Sequence, residues 1–173
     1  LTIRGLPVRA VLVDPAADIA SELYLAVVLD RALRSPVIIA SRAGGVDIEE
    51  VAVTRPEAIV RVVVDPLVGL RPFHVRRLAY GLELPHGQRG PFAELVTALH
   101  TAFVSLDATL CEVNPLAVLA DGSLLAVDGK VSIDDSALYR QSEIAALRDP
   151  DAETPAERMA REAGLNYVDL DGS

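Results

Sequence analysis

The sequence predicts an α+β domain in which a largely antiparallel sheet packs against helices. Several short apolar runs rich in Val, Ile and Leu are bounded by Asp-Pro or Gly-Gly pairs, which is typical of β-strands. Two later segments repeat apolar residues at the three- and four-residue spacing of an amphipathic helix. After the helices, Asp121-Gly122 separates two apolar runs, and this dipeptide is a strong signal for a hairpin of antiparallel strands.

Four apolar runs precede the helices and are predicted as strands, at residues 6–13, 23–29, 36–40 and 60–64. The connection between the second and third runs is short and basic, which predicts that these two strands form an antiparallel pair. Asp14-Pro15 and Asp65-Pro66 end the first and fourth runs, because proline has no backbone N–H to donate. Gly44-Gly45 predicts a turn, and a short helix is expected at 47–52.

Two helices are predicted between the fourth strand and the hairpin. The first has an apolar face formed by Val75, Leu78, Ala79 and Leu82. The second is predicted to carry Pro91 in its first turn, where a missing N–H is tolerated. Its apolar face is formed by Phe92, Leu95, Val96, Leu99, Phe103 and Leu106. His74, His86 (in a predicted Pro-His-Gly turn) and His100 lie far apart in sequence, so we interpret them as core or surface residues.

The hairpin is otherwise apolar but carries Glu112, Asn114 and Asp128 at its open end. Carboxylate and amide oxygens are the ligands that Mg²⁺ prefers. Equally, acids and amides are common at the ends of ordinary hairpin strands, where water solvates them. The spacing alone leaves both interpretations open.

The length of the hairpin loop decides whether these oxygens can meet. A two-residue turn at Asp121-Gly122 pairs Asn114 with Gly129 and turns Asp128 to the other face of the sheet. A three-residue loop that also includes Ala120 places Asn114 opposite Asp128, with Cβ atoms about 4.5–5.5 Å apart. We predict the three-residue loop, which allows the two side chains to share one cation.

Composition excludes several classes of protein. The chain has 173 residues and a net charge of −9, which argues against a nucleic-acid or an anionic membrane partner. Its single cysteine, Cys111, excludes an internal disulfide and fits a reducing cytosol, so we expect a cytoplasmic protein. No apolar run approaches the roughly 20 residues that span a bilayer.

The last residues change in character. Residues 149–157 are polar and acidic, and Thr154 to Glu157 form a capping box that begins a helix ending near Gly164. A strand-like run follows at 166–170. The chain also starts without methionine, directly in strand-like sequence. We therefore expect a segment of a longer protein, in which 149–173 connect to a further domain.

The polar residues of the hairpin lie within a longer pattern. Glu112-Val113-Asn114-Pro115-Leu116 and Val127-Asp128-Gly129-Lys130 resemble the Glu-x-Asn-Pro-Leu and Asp-Gly-Lys signature of the succinyl-CoA synthetase (succinate–CoA ligase) β subunit. Further matching stretches occur in the same order at 18–25, 44–49, 65–67, 137–141 and 165–172. The resemblance thus covers nearly the whole chain, although Ala43 and Ser136 stand where that family usually has Glu and Asn.

The resemblance implies a fold and a set of site residues. That family has an ATP-grasp domain followed by a flavodoxin-like ligase domain, so residues 1–148 are expected to be the second half of an ATP-grasp domain, and 149–173 the connection to the ligase domain. By resemblance, Asn114 and Asp128 match the Mg²⁺ ligands, and Glu112 matches an acid near the phosphoryl-transfer centre. The family uses a phosphohistidine on its α subunit, so no histidine of this chain is expected to be catalytic.

The resemblance also implies an activity, with Mg²⁺ and ATP or GTP as cofactors. The expected reaction is reversible succinyl-CoA formation coupled to nucleoside-diphosphate phosphorylation, with the α subunit, CoA and succinate as partners. Two alternatives remain at this stage. A related malate–CoA ligase or ATP-citrate lyase module would share these motifs, and a non-catalytic ATP-grasp scaffold would share only the fold.

Overall fold

In a computed structural model, the structure describes residues 2–3, 6–8, 10–11, 13, 15–149, 153–165 and 167. The strands are β1 (Thr2–Ile3), β2 (Leu6–Pro7), β3 (Ile19–Asp30), β4 (Ser35–Ser41), β5 (Ile59–Val63), β6 (Ala108–Leu119), β7 (Leu124–Ala126) and β8 (Gly129–Ile133). The helices are α1 (Ile48–Thr54), α2 (Pro72–Gly81), α3 (His86–Ser105), α4 (Ser142–Ala145) and α5 (Pro155–Glu162). The chain forms two compact units that divide between Ser132 and Ile133.

The first unit is built on an open sheet with the strand order β5-β4-β3-β6-β7, in which β8 also pairs with β6. The pairs along this order are antiparallel, as predicted. The predicted pair of β3 and β4 is confirmed, with Asp30 opposite Ser35 next to the connecting turn. The Asp30 carboxylate accepts hydrogen bonds from the backbone N–H groups of Ala32 and Leu33, which explains the tight turn at this point.

The predicted strand at 6–13 is wrong over most of its length. Within this run, only Leu6–Pro7 are paired, with Thr2–Ile3. The other described residues of the run, 8, 10, 11 and 13, are not in a strand. Val11 and Val13 are 71% and 87% exposed. An apolar run becomes a strand only where a partner strand and a buried face stabilise it, and these two valines have no such burial.

One face of the sheet is fully buried. Leu25 and Val27 of β3 are completely buried, beside Ala40 and Ile38 on β4. Helix α2 approaches this face closely, because a Cβ on Gly81 would lie only 2.6 Å from a methyl carbon of Val60. Glycine at this position therefore allows the helix to pack directly on the sheet.

Helix α3 contacts both β3 and β6 and contributes the buried side chains Phe92, Val96 and Phe103. Its first residue is His86, so Pro91 lies inside the helix rather than in its first turn, and His86 is not in a separate turn. The N–H of Gln88 closes the first turn on the carbonyl of Pro85. The residues at the start of the helix, 86–90, have no apolar periodicity. The prediction from the apolar face, which begins at Phe92, therefore placed the start of the helix too late.

The second unit contains a 3₁₀ helix at Asp135–Arg140, followed by α4 and α5. The predicted capping box of α5 is confirmed, since Thr154 and Glu157 each accept a hydrogen bond from the other's backbone N–H. Gly164 then adopts φ +69, as is usual just after the end of a helix. The strand-like run at 166–170 lies outside the described residues, apart from Tyr167.

Cys111 is completely buried on β6. Burial raises the pKa of its thiol, so the nucleophilic thiolate is disfavoured in the folded protein. We expect 5,5′-dithiobis(2-nitrobenzoic acid) to label Cys111 only as fast as the protein unfolds, and at once in guanidinium chloride. Rapid stoichiometric labelling of the native protein would contradict the packing of β6 described above.

Among the helices in the described part of the chain, none is both long and apolar enough to cross a bilayer.

Candidate functional site

The hairpin between β6 and β7 has the predicted three-residue loop. Leu116 pairs with Ala126 and Val118 with Leu124, and the N–H of Leu119 donates to the carbonyl of Ser123. The loop therefore consists of residues 120–122, and its glycine has φ +84, in the left-handed region that glycine adopts most easily.

The same register brings Asn114 and Asp128 together. The backbone N–H of Asn114 donates to the carbonyl of Asp128 at 3.2 Å. The prediction that these two residues lie opposite each other is confirmed, and the pairing of Asn114 with Gly129 is excluded. Their side chains, however, have different surroundings: Asn114 is half-buried, whereas Asp128 is exposed.

A bulge interrupts the pairing of β6 with β3 at this point. Leu23 pairs with Leu116 and Leu25 with Val113, so Asn114 and Pro115 together oppose Tyr24. The extra residue bends β6 locally and redirects its side chains, as bulges near functional sites commonly do. The Asn114–Pro115 peptide bond is cis.

The side chain of Asn114 is held by the Gly44-Gly45 loop. Its Oδ1 atom accepts a hydrogen bond of 2.7 Å from the N–H of Gly45, and its Nδ2 atom donates to the carbonyl of Val46 at 3.0 Å. These two contacts fix the orientation of the amide, which places one lone pair of Oδ1 on Gly45 and leaves the other for a further ligand.

Both glycines of this loop are required by their surroundings. A Cβ on Gly44 would lie 2.3 Å from the carbonyl oxygen of Leu23, closer than any real contact. Gly45 has φ +67, a conformation that strains any other residue, and a Cβ there would also require the flexible carboxylate of Glu22 to move aside. The sequence predicted only a turn at this position. The structure shows that the turn also anchors a candidate metal ligand 69 residues further along the chain.

Glu112 is half-buried on β6 and accepts a hydrogen bond of 2.7 Å from the hydroxyl of Tyr24 on β3. Tyr24 is only 2% exposed. Burial and the neighbouring Glu112 carboxylate together raise the pKa of Tyr24 well above its usual range. The tyrosine is therefore neutral and acts as a fixed donor that orients the carboxylate. Composition and periodicity gave no signal for this pair, because it joins strands that are 88 residues apart.

Replacing Tyr24 by phenylalanine is expected to lower the free energy of unfolding by about 1–2 kcal/mol, because a half-buried carboxylate loses its donor. The pH dependence should also change. Unfolded tyrosine ionises near pH 10, whereas folded Tyr24 remains neutral, so this residue lowers stability as pH rises above about 10. In denaturant titrations, the free energy of unfolding should fall less between pH 7 and pH 10.5 for Tyr24→Phe than for the wild type. If the free energy of unfolding falls equally in both proteins between these pH values, this assignment is contradicted.

The oxygens of Asn114 and Asp128 suit a hard cation such as Mg²⁺. Oδ1 of Asp128 accepts a hydrogen bond from the N–H of Gly129 at 2.8 Å, and a carboxylate retains further lone pairs for a metal. Across the described ranges, no group of three or more His, Cys, Asp or Glu side chains could hold a metal by itself. Two oxygens from the protein match a site at which Mg²⁺ also binds water and substrate phosphates.

The chain matches a family model described as the ATP-grasp domain over residues 1–118. It is 50% identical over 174 residues to a protein of Chloroflexus aurantiacus named succinate–CoA ligase (ADP-forming) subunit beta, covering 100% of this chain and 46% of the relative. Proteins with the same name from Nautilia profundicola and Rubrobacter xylanophilus are 47% and 49% identical, over 98% and 99% of this chain and 43% and 45% of their own lengths. The chain thus spans about half the length of the curated relatives it matches.

Solved structures agree on the fold. A structure of ATP citrate lyase from Methanothrix soehngenii in complex with citrate and coenzyme A superposes with a TM-score of 0.62 at 23% identity, over 86% of this chain and 34% of that chain. A Methanosaeta concilii ATP citrate lyase superposes with a TM-score of 0.57 at 21% identity, over 83% and 32% of the two chains. The family match, the fold and the mostly antiparallel sheet agree: the chain belongs to the ATP-grasp domain family.

Proposed function

We propose that this chain is a segment of the β subunit of an ADP-forming succinate–CoA ligase. The observation that carries the proposal is the identity of about one half, over essentially the whole chain, to curated proteins of that name from several bacteria. The whole enzyme would form succinyl-CoA from succinate and CoA at the expense of ATP, reversibly. It would work with an α subunit that carries a phosphohistidine.

In this proposal, Asn114 and Asp128 would hold Mg²⁺ in the site that binds ATP. The metal, when bound, neutralises charge on the phosphoryl group being transferred. Asn114 provides a neutral oxygen whose direction is set by Gly45 and Val46. Asp128, in the connection between β7 and β8, would provide a charged oxygen. Phosphoryl transfer depends mainly on positioning and charge stabilisation, so an anchored ligand is well suited to it.

Glu112 is proposed to act near the transferred group. Its carboxylate is oriented by Tyr24, and it lies on the same strand as Asn114, two residues before it. A fixed carboxylate here could accept a hydrogen bond from the imidazole of a partner histidine and keep that ring in position for phosphorylation. This role requires no histidine of this chain.

The remaining assignments follow from the same proposal. Residues 1–148 would be the second half of the ATP-grasp domain, and 149–173 the connection to a CoA-ligase domain. The protein would be cytoplasmic, as the single cysteine suggests. ATP citrate lyase is the alternative; the two solved structures of that enzyme share the fold at 23% and 21% identity and do not favour its activity over that of the ligase.

The test is phosphorylation of the α-subunit histidine by the full-length β subunit with radiolabelled ATP, followed by succinate- and CoA-dependent release of the label. We expect labelling that requires Mg²⁺, and release with succinate but not with malate or citrate. Release with malate or citrate would assign the protein to one of the related ligases. Absence of labelling would leave a scaffold without catalytic activity.

The 173-residue chain alone is expected to show no ligase activity and at most weak nucleotide affinity. Two protein ligands retain Mg²⁺ poorly when the phosphate-binding half of the domain is absent. Isothermal titration calorimetry with Mg-ATP measures this directly. Sub-micromolar affinity would show that the nucleotide site lies within this segment and not across the two halves of the domain.

A further inference from the structure

A groove of about 800 Å³ lies between helices α2 and α3. This volume is typical of sites that bind small molecules. The groove shares no residue with the candidate site, since Glu112, Asn114, Asp128 and the Gly44-Gly45 loop do not line it. The groove is therefore separate from the proposed metal ligands.

The charge of the groove is opposite to that of the whole chain. Arg71, Arg76 and Arg89 line it, and no Asp or Glu does so, although the chain has a net charge of −9. His86 and His100 also line the groove. Burial lowers the pKa of His100, with the charge of His74 adding to the effect, so its imidazole is neutral near pH 7 and serves as a hydrogen-bonding group. The lining as a whole favours an anion.

Arg89 is held in place before any ligand binds. Its Nε atom donates to the carbonyl of Leu84 at 2.9 Å, and its guanidinium lies over the ring of Tyr80, 4.4 Å from the centroid. An arginine fixed by a hydrogen bond and a cation–π contact loses little side-chain entropy on binding, and its planar fork suits carboxylate and phosphate oxygens.

The groove also has an apolar part. Leu70 and Ala93, which line it, are half-buried, so part of each side chain stays accessible to a ligand. Gly90 of α3 also lines the groove. A Cβ at this position would have no heavy atom within 4 Å, so the absence of a side chain leaves open space there. The surface thus combines charge recognition with apolar contact.

We propose that this groove binds a small organic anion. A phosphate or carboxylate group would contact the three arginines, and a ring or short aliphatic part would lie on Leu70 and Ala93. This inference is independent of the proposed ligase activity, because the two sites have no residue in common.

The test is calorimetric titration of the 173-residue chain with phenyl phosphate and benzoate, each of which joins one oxyanion to one apolar ring. We expect saturable binding with a Kd of about 1 mM or lower for at least one of them. Inorganic phosphate and phenol should each bind at least about tenfold more weakly, since each lacks one of the two features. Tighter binding of phenyl phosphate assigns the site to phosphate esters, and tighter binding of benzoate assigns it to carboxylates.

Two matched pairs of variants locate the binding. Gly90→Leu fills the groove and should abolish binding, whereas Gly87→Leu, at an equally open position of α3 outside the groove, should leave the Kd within about twofold. Arg76→Gln should raise the Kd about tenfold, and the neighbouring Arg77→Gln, which does not line the groove, should not. Circular dichroism would verify that all four variants fold. Absence of binding, equal binding of inorganic phosphate, or unchanged binding by folded Gly90→Leu would overturn the proposal.

Discussion

Replacing Gly44 by alanine is expected to lower the free energy of unfolding by about 3 kcal/mol, at the upper end of the usual range for overpacking. The new Cβ would lie 2.3 Å from the carbonyl oxygen and 2.5 Å from the carbonyl carbon of Leu23. These are backbone atoms of a central strand that is paired on both sides, so they cannot move aside as a flexible side chain could. The Gly44-Gly45 loop would have to move away from β3 instead.

Guanidinium chloride titration measures this change, and Gly129→Ala is a suitable control. A Cβ on Gly129 has its nearest neighbour at 3.6 Å, an ordinary van der Waals contact, and Gly129 does not have positive φ. We expect this control to stay within about 0.5 kcal/mol of the wild type. A Gly44→Ala variant as stable as Gly129→Ala would mean that the loop has room to relax, and that it does not fix Asn114 as rigidly as its contacts indicate.

Displacing the loop should also affect the candidate site. Asn114 receives its hydrogen bond from Gly45, the residue next to the substitution. If that contact orients the amide for Mg²⁺, Gly44→Ala in the full-length subunit should require more Mg²⁺ for half-maximal histidine phosphorylation. A variant that is destabilised but has an unchanged Mg²⁺ requirement would separate the structural role of the loop from any role in metal binding.

Local chemistry was sufficient to predict the hairpin and to limit its register to two, and the hypothesis of a shared cation selected the three-residue loop. Asp121-Gly122 between apolar runs specifies a short loop, and the alternation of side chains leaves only two registers, of which the structure has the predicted one. The capping box at Thr154 and the antiparallel pair of β3 and β4 were predicted for the same reason. Each depends on residues that are close in sequence.

The contacts that organise the candidate site could not be predicted in this way. Asn114 meets Gly45 across 69 residues, and Tyr24 meets Glu112 across 88. These contacts depend on the strand order of the sheet and on a bulge that the apolar pattern does not encode. The predicted strand at 6–13 failed for a related reason, because its sequence is suited to a strand but most of the segment has no partner among the described residues.

Under the proposed function, replacing Asp128 by asparagine in the full-length β subunit is expected to slow phosphorylation of the α-subunit histidine by at least about a hundredfold. This corresponds to roughly 2.7 kcal/mol, the scale of one electrostatic catalytic contact. The substitution keeps the local structure, since an amide oxygen can still accept the N–H of Gly129, and the bond from Asn114 goes to the backbone carbonyl of residue 128. It removes the one negative charge that we assign to the metal.

The fold should survive this change, because Asp128 is exposed, and the free energy of unfolding should stay within about 0.5 kcal/mol of the wild type. Asp121→Asn is the matched control: it removes another exposed carboxylate from the other end of the same hairpin, where the acid accepts hydrogen bonds from the backbone N–H and the hydroxyl of Ser123, just after the loop. This control should phosphorylate the partner at a rate within about twofold of the wild type. Because the two variants share the same change in charge and the same hairpin, a hundredfold difference between them would assign the effect to the position of Asp128 and not to the loss of one negative charge from the hairpin. If Asp128→Asn phosphorylates the partner histidine as fast as the wild type at low Mg²⁺, Asp128 is a structural acid and its assignment as a metal ligand is refuted.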